Sequence, residues 1–202
     1  MAHSEAGEEN ILYSGKLDFQ SEFLPRIIRY FLPENLQGVL EIGCGFGRMT
    51  THIAQYCSPK HVFAVDISPK LLEIAKSRCD IYGINNVSFI ETSGDSLLGI
   101  PDNSITFAFE YIVFQHISDY TIVYKYLKEL FRVLQIGGIL VMHIRDVSGV
   151  PSETNSGNTW HGCRMSPEFI GNSLKGIPLK IFNVEGIGTD RCWIHIKKES
   201  TF

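Results

Sequence analysis

Residues 39–50 read Val39-Leu40-Glu41-Ile42-Gly43-Cys44-Gly45-Phe46-Gly47-Arg48-Met49-Thr50. An apolar, β-prone run leads into three alternate glycines and a helix-compatible run, so the stretch predicts a strand, a tight turn and a helix. Glycines at such a turn can adopt positive φ and let a ligand lie against the backbone. The helix start presents backbone N–H groups and the positive end of its dipole. Unrelated α/β proteins use a similar turn without a ligand, so the rest of the chain must decide its role.

Outside this stretch the chain alternates strands and helices. The predicted core strands are 38–42, 61–65, 87–91, 105–109 and 139–144. The predicted core helices are 48–56, a second that opens at Ser68-Pro69, and 120–134, which Gly137-Gly138 closes. This spacing predicts an α/β fold with a doubly wound, mainly parallel sheet. The last two strands, 178–185 and 191–198, have a short connection and therefore predict an antiparallel hairpin.

Two segments flank this core. Residues 1–35 are predicted to be a docking segment followed by a helix, and residues 145–165 a loop insertion rich in Gly, Ser, Asn and Pro. A chain of 202 residues suits one domain, so 1–202 is predicted to be a single domain with these two additions.

Composition excludes several classes of protein. A hydrophobic content of 44% and a charged content of 20% are those of a soluble globular chain, and the net charge of −4 gives no support to nucleic-acid or membrane binding. No apolar run reaches the roughly 20 residues that span a bilayer, and the N-terminus lacks a secretory signal. Five scattered cysteines without a C-x-x-C pair indicate reduced thiols in a cytoplasmic protein.

Acidic residues follow the predicted strands. Asp66 ends the second strand, where a carboxylate can accept hydrogen bonds from the ribose hydroxyls of an adenosine. A nicotinamide-binding domain would have an acidic residue at a similar position. Asp95, beside Ser96 after the third strand, is placed to accept from an adenine amino group. Asp95, together with Glu41 before the turn, disfavours a nicotinamide dehydrogenase.

Residues 36–144 resemble the Rossmann-like (class I) methyltransferases that depend on S-adenosylmethionine. Residues 41–47 are similar to the first motif of that family, and Asp66 to its acidic position after the second strand. The turn 94–96 resembles its adenine-contacting turn, and residues 130–138 the segment before its fifth strand. The terminal hairpin matches the reversed seventh strand of the family.

This resemblance implies S-adenosylmethionine as cofactor. The implied roles are contact with the methionine moiety near the glycine turn, a ribose contact at Asp66 and an adenine contact near Ile67 and Asp95. A backbone carbonyl near Glu110 or Tyr111 would meet the methionine amino group. The predicted cofactor-binding residues are Glu41, Gly43, Gly45, Gly47, Asp66, Ile67, Asp95, Ser96, Glu110 and Tyr111.

The methyl acceptor is predicted to lie against the loop insertion and the N-terminal segment. The candidate substrate-binding residues are Tyr13, Arg145, Trp160, His161 and Arg164. Trp160 could instead pack the loop onto the sheet. His116 is the candidate catalytic residue, because a histidine exchanges a proton near neutral pH, and the alternative, slightly preferred, is a structural histidine packed at the start of a helix. His161 and Cys163 are too few for a metal site, so no metal is predicted.

The sequence therefore predicts an enzyme that transfers a methyl group from S-adenosylmethionine to a small molecule by in-line displacement. The acceptor is expected to be small because the chain has little beyond the core. Two alternatives remain open. The acidic balance would suit methylation of a basic protein or peptide, and the chain could also bind S-adenosylmethionine without catalysis.

Overall fold

A computed structural model describes residues 16, 18–27, 30, 36–56, 60–146 and 164–200. The chain divides into two units, Met1–Glu91 and Thr92–Phe202. The first unit has a three-stranded parallel sheet, and the second has a four-stranded mixed sheet. Among the described residues, no helix is long and apolar enough to cross a membrane.

The first unit carries three parallel strands and the helices between them. A π-helical turn, Asp18–Phe23, leads into helix α1, Leu24–Ile27. The core elements that follow are β1 (Gly38–Ile42), α2 (Arg48–Tyr56), β2 (His61–Asp66), α3 (Pro69–Ile81) and β3 (Val87–Glu91). Strand β1 is buried along its whole length, as expected of a parallel strand that is covered on both faces.

Helix α3 begins where the sequence predicts. The hydroxyl of Ser68 accepts a hydrogen bond from the backbone N–H of Leu71, and Pro69 occupies the first turn. The buried side of the helix carries Leu72, Ala75 and Cys79. Helix α3 is therefore fixed immediately after the end of β2, where Asp66 lies.

The second unit carries the four remaining strands. Its elements are β4 (Ile105–Glu110), a 3-10 turn (Phe114–His116), α4 (Tyr120–Val133), β5 (Leu134–Ile144), α5 (Pro167–Ser173), β6 (Leu179–Glu185) and β7 (Cys192–Lys198). Strands β4 and β5 are parallel, whereas β7 is antiparallel to both β5 and β6. The predicted terminal hairpin is therefore confirmed, and so is the mainly parallel α/β sheet with a reversed C-terminal strand.

Strand β5 differs from its prediction. It begins at Leu134, directly after α4, so the pair Gly137-Gly138 lies inside the strand and does not close the helix. The pairing with β4 passes from Ile105↔Leu134 to Phe107↔Ile139, which leaves extra residues in β5 as a bulge. A Cβ on Gly138 would lie 2.9 Å from the Gln135 carbonyl oxygen, so the bulge requires glycine there.

Candidate functional site

The glycine turn after β1 is open at its centre and closed at its end. Gly43, Gly45 and Gly47 have φ values of 68°, 53° and 79°, in the left-handed region that favours glycine. A Cβ on Gly45 would meet no atom within 4 Å, whereas a Cβ on Gly47 would lie 3.0 Å from the Cβ of Ala75. Gly45 therefore gives backbone that a ligand can approach, and Gly47 lets α3 approach the turn.

Asp66 connects the end of β2 to that turn. Its Oδ2 accepts a hydrogen bond from the backbone N–H of Gly45 at 2.8 Å, and its Oδ1 accepts one from that of Ser68 at 2.9 Å. Each carboxylate oxygen has a second lone-pair site, so Asp66 can hold the turn and still accept from ligand hydroxyls. The next residue, Ile67, has 66% of its surface exposed and offers an apolar face beside the carboxylate.

Glu41 lies beneath the same turn, in β1. It is only 4% exposed, and its Oε2 accepts a 2.6 Å hydrogen bond from the hydroxyl of Thr50 in α2. Burial raises the pKa of Glu41 to about 8, although the hydrogen bond from Thr50 and the charge of Arg48 lower it. Glu41 is therefore mostly protonated at neutral pH, and it ties the strand before the turn to the helix after it.

The predicted adenine-contacting residue, Asp95, is in an ion pair in the second unit. Its Oδ2 lies 2.7 Å from the Nζ of Lys125, and its Oδ1 accepts a hydrogen bond from the Ser93 hydroxyl. Hydrogen bonding to Lys125 holds the pKa of Asp95 below its ordinary value. The neighbouring Ser96 accepts through its hydroxyl from the backbone N–H of Leu98 and through its carbonyl from the Thr92 hydroxyl.

Glu110, the last residue of β4, is completely buried and accepts three backbone hydrogen bonds. Its Oε2 accepts from the N–H groups of Val113 and Phe114, at 3.0 and 3.2 Å. Its Oε1 accepts from the N–H of His143 in β5, at 2.5 Å. Burial raises the pKa of Glu110 to about 8, against the lowering effect of these donors. The sequence prediction concerned only the backbone here and missed this structural role of the side chain.

The turn that Glu110 holds contains a strained residue. Ile112 has a φ of 60°, which β-branched side chains rarely adopt. The side chain of Glu110 accepts hydrogen bonds from the N–H groups of Val113 and Phe114, the two residues that follow Ile112. These hydrogen bonds maintain the conformation of Ile112. The 3-10 turn continues with a 2.9 Å hydrogen bond from the N–H of His116 to the Val113 carbonyl.

The same turn forms one wall of a cavity of about 310 Å³ in the second unit. The other walls are the end of β5 and the turn between β6 and β7. The lining residues are Tyr111, Ile112, Gln115, His116, His143, Arg145, Asp190 and Arg191. Tyr111, His116 and Arg145 were site candidates from sequence, and the structure brings these three together. The remaining five were missed.

Aromatic packing and turn hydrogen bonds support the cavity. The ring of Tyr111 stacks on Trp193 of β7, with centroids 5.5 Å apart, and the ring of His143 makes T-shaped contacts with both. Beyond β5, the N–H of Asp146 donates to the Thr189 carbonyl at 2.9 Å. The carboxylate of Asp146 accepts from the N–H of Gly188 at 2.8 Å. The β6–β7 turn is therefore fixed against the end of β5.

A family model described as a methyltransferase domain matches residues 40–142, about half of the chain. The chain belongs to this methyltransferase family. The match begins in β1 and ends in β5, so it contains the glycine turn, Asp66, Asp95 and Glu110. The resemblance inferred from the sequence is thereby confirmed.

Individual proteins agree with this assignment of the methyltransferase domain. This chain is 33% identical over 104 residues to the demethylmenaquinone methyltransferase of Tropheryma whipplei (strain Twist), a match that covers 52% of this chain and 40% of that protein. It is 24% identical over 150 residues to the malonyl-[acyl-carrier protein] O-methyltransferase of Marinomonas sp. (strain MWYL1), covering 74% of this chain and 52% of that protein. The chain thus spans about half or less of the length of these relatives.

A solved structure extends the agreement on the fold to nearly the whole chain. The methyltransferase superposes on an S-adenosylmethionine-dependent methyltransferase from Clostridium acetobutylicum ATCC 824 with a TM-score of 0.71. The superposition covers 93% of this chain and 98% of that one at 15% identity. The fold is the Rossmann-like fold of the S-adenosylmethionine-dependent methyltransferases, and S-adenosylmethionine is the cofactor of the family.

The first unit of the methyltransferase fits that cofactor. Space above Gly45 is open, so a ligand can approach the backbone there. Asp66 is a carboxylate with remaining lone pairs, which suits the paired hydroxyls of a ribose. Exposed Ile67 offers an apolar surface to one face of a base.

The other predicted site residues have separate outcomes. Arg164 is not among the cavity-lining residues, and its carbonyl accepts a hydrogen bond from the hydroxyl of Tyr120 at 2.9 Å. Tyr13, Trp160 and His161 lie outside the described residues. In the part of the chain that the structure describes, no group of three or more His, Cys, Asp or Glu side chains could hold a metal ion.

The three cysteines in the part of the chain that the structure describes are not activated nucleophiles. Cys44, Cys79 and Cys192 are buried free thiols. Burial raises the pKa of Cys79 to about 11 and that of Cys192 to about 12, and it raises the pKa of Cys44 further. All three remain protonated at neutral pH, whereas a reactive cysteine needs its thiolate.

The buried glutamates predict a pH dependence of stability. The folded protein keeps the proton of Glu41 to about pH 8, whereas the unfolded chain loses it near pH 4.5. Folding therefore takes up a proton between these values, so the free energy of unfolding should fall as pH rises through this range, by at most about 1.4 kcal/mol per pH unit for one group. Glu41→Gln keeps an oxygen for the Thr50 hydroxyl but cannot titrate, so its slope should be shallower than wild type.

Urea unfolding of the cofactor-free protein at pH 5.5, 6.5 and 7.5 measures this slope. Glu73→Gln, at an exposed position of α3, is the matched control and should keep the wild-type slope. Equal slopes in Glu41→Gln and wild type would show that Glu41 is ionised in the folded protein.

Proposed function

We propose that this methyltransferase transfers the methyl group of S-adenosylmethionine to a small-molecule acceptor. The observation that carries the proposal is the cavity of about 310 Å³ in the second unit, because small-molecule sites have volumes from about 300 to 1,000 Å³. A cavity of this size suits a compact acceptor better than a folded protein. One relative is named a demethylmenaquinone methyltransferase, which agrees with a small-molecule acceptor, whereas another is named for malonyl-[acyl-carrier protein], whose malonyl group is carried on a protein.

We assign the cofactor contacts of the first unit to the glycine turn and to Asp66. The backbone at Gly43 and Gly45 would meet the methionine moiety, Asp66 the ribose hydroxyls and Ile67 the adenine. Glu41 would support the turn from beneath, since its carboxyl is bonded to Thr50. The contacts predicted for Asp95, Ser96, Glu110 and Tyr111, in the second unit, stay part of the proposal.

S-adenosylmethionine supplies a methyl group that its sulfonium centre already activates, so the chain has mainly to align donor and acceptor and exclude water. A base is required only for an acceptor that arrives protonated. His116 is the proposed base because it lines the cavity, and its Nε2 lies 3.3 Å from the Nε2 of Gln115. The amide N–H of Gln115 can donate to this nitrogen and orient the imidazole ring, and the bond has to break for Nε2 to take a proton.

Turnover tests this proposal directly. Purified protein and S-adenosylmethionine are incubated with three sets of acceptors. The first set is small carboxylic acids, with and without a hydroxyl, thiol or amino group. The second is the uncharged analogues of these acids, and the third is basic peptides. The product S-adenosylhomocysteine is quantified by mass spectrometry. We expect its formation to require a small-molecule acceptor. Turnover with peptides alone would support the protein methyltransferase alternative, and binding of S-adenosylhomocysteine without any turnover would support a non-catalytic binder.

A further inference from the structure

The wall of the second-unit cavity carries an excess of positive charge. Among the described lining residues, Arg145 and Arg191 carry guanidinium groups, whereas Asp190 alone carries a carboxylate. The described lining therefore carries two cationic groups against one anionic group.

The two arginines reach the cavity through a fixed arrangement of the backbone. Arg145 directly follows β5, and its carbonyl accepts a hydrogen bond from the N–H of Met165 at 3.1 Å. Arg191 directly precedes β7, whose first residue, Cys192, pairs with Ile144 at the end of β5. The hydrogen bonds of Asp146 with Thr189 and Gly188 hold the turn that carries Arg191. Hydrogen bonds and strand pairing therefore hold the backbone at both arginines.

Arg145 also has an unused donor. Its Nε is buried, and it has no hydrogen-bond partner among the residues that the structure describes. A guanidinium group presents its donors as a planar fork that matches carboxylate and phosphate oxygens.

We propose that the methyl acceptor is an anion, a small molecule whose carboxylate or phosphate group is bound by Arg145 and Arg191. This inference rests on the proposed function, since it names the class of acceptor that the same cavity selects. The stacked ring of Tyr111 and the strained Ile112 supply apolar wall for the rest of the molecule. The acceptor is therefore a compact, partly apolar acid.

Binding of simple probes tests the charge preference without knowledge of the natural acceptor. Benzoate, phenyl phosphate and uncharged benzyl alcohol are titrated, by ligand-observed NMR, into the full-length protein saturated with S-adenosylhomocysteine. We expect wild type to bind at least one anion more tightly than benzyl alcohol. The double variant Arg145→Gln/Arg191→Gln should weaken anion binding at least tenfold, because two charge-assisted hydrogen bonds are lost. Comparison of benzoate with phenyl phosphate decides between carboxylate and phosphate.

Three controls make the result specific. Arg145→Lys/Arg191→Lys keeps the charge and should retain part of the anion affinity, which separates electrostatics from misfolding. Lys180→Gln removes an exposed cation of the same unit, whose side chain is 68% exposed, and should change nothing. The affinity for S-adenosylhomocysteine should stay within about threefold in all variants.

Equal binding of benzyl alcohol and the anions would overturn the inference, and so would anion binding that survives the double glutamine variant. Loss of S-adenosylhomocysteine binding in that variant, with its thermal unfolding unchanged, would assign the arginines to the cofactor and also overturn it. These outcomes are independent of the proposed function: turnover of uncharged acceptors alone would keep the methyltransferase proposal and defeat the anionic acceptor. Absence of turnover with every acceptor would contradict the proposed function itself.

Discussion

Asp66→Ala should weaken binding of S-adenosylmethionine at least tenfold. The substitution removes the proposed acceptor of the ribose hydroxyls, and hydrogen bonds to a charged group contribute about 1.5–3 kcal/mol each, where about 1.4 kcal/mol is a factor of ten. It also releases the N–H groups of Gly45 and Ser68, which the carboxylate holds at 2.8 and 2.9 Å. Both the ligand contact and the position of the turn are therefore lost together. Isothermal titration calorimetry with S-adenosylhomocysteine measures the change.

Two further variants separate these effects. Asp66→Asn keeps one acceptor oxygen and the size of the side chain, so its loss of affinity should be smaller than that of Asp66→Ala. Asp80→Ala removes an exposed carboxylate of the same unit, paired with Lys76, and should leave binding unchanged. An affinity of Asp66→Ala equal to that of Asp80→Ala would show that the cofactor does not contact Asp66.

The elements that sequence predicts well are those whose signals are local. Strands β1, β2 and β3 follow the predicted ranges because each is a short apolar run bounded by turn residues. The start of α3 follows from Ser68 and Pro69, which fix a helix end through one hydrogen bond and one restricted φ. In each case the physical cause lies within a few residues of its effect.

The start of β5 could not be predicted in this way. A glycine pair after a helical pattern is the usual sign of a helix end, and positive φ at Gly137 agrees with that interpretation. The deciding contacts come instead from β4, whose Ile105 carbonyl oxygen would lie 3.0 Å from a Cβ on Gly138. The two glycines allow a bulge where β5 pairs with β4. That strand pairing is a tertiary contact, which the local sequence does not indicate.

Most of the residues that line the cavity could not be predicted from local signals either. Arg145 was found because it begins the irregular segment after β5, but Asp190 and Arg191 lie in a hairpin turn that gives no chemical signal by itself. They line the same cavity as Arg145 because β7 is antiparallel to β5 and because the carboxylate of Asp146 accepts a hydrogen bond from the N–H of Gly188. A useful signal was nevertheless present in β4: Glu110 ends an apolar buried strand, and a carboxyl group at such a position needs hydrogen-bond donors.

Glu110→Ala should lower the free energy of unfolding by at least about 3 kcal/mol. The substitution leaves the N–H groups of Val113, Phe114 and His143 without their acceptor, and each buried unpaired donor costs about 1–3 kcal/mol. It also removes the bonds that maintain the left-handed conformation of Ile112. For a chain of this length, the loss corresponds to a Tm lower by roughly 6–12 °C.

Thermal and urea unfolding of the cofactor-free protein measure this loss, and Glu168→Ala, at an exposed position in the first turn of α5, is the control that should change stability little. Glu110→Gln keeps the side-chain volume and one acceptor oxygen but turns an amide N–H₂ toward backbone donors, so its stability should fall between wild type and Glu110→Ala. Because Glu110 also shapes the turn that lines the cavity, the alanine variant should bind benzoate or phenyl phosphate less well than Glu168→Ala does. A variant as stable as Glu168→Ala would show that the three hydrogen bonds of Glu110 do not stabilise the fold.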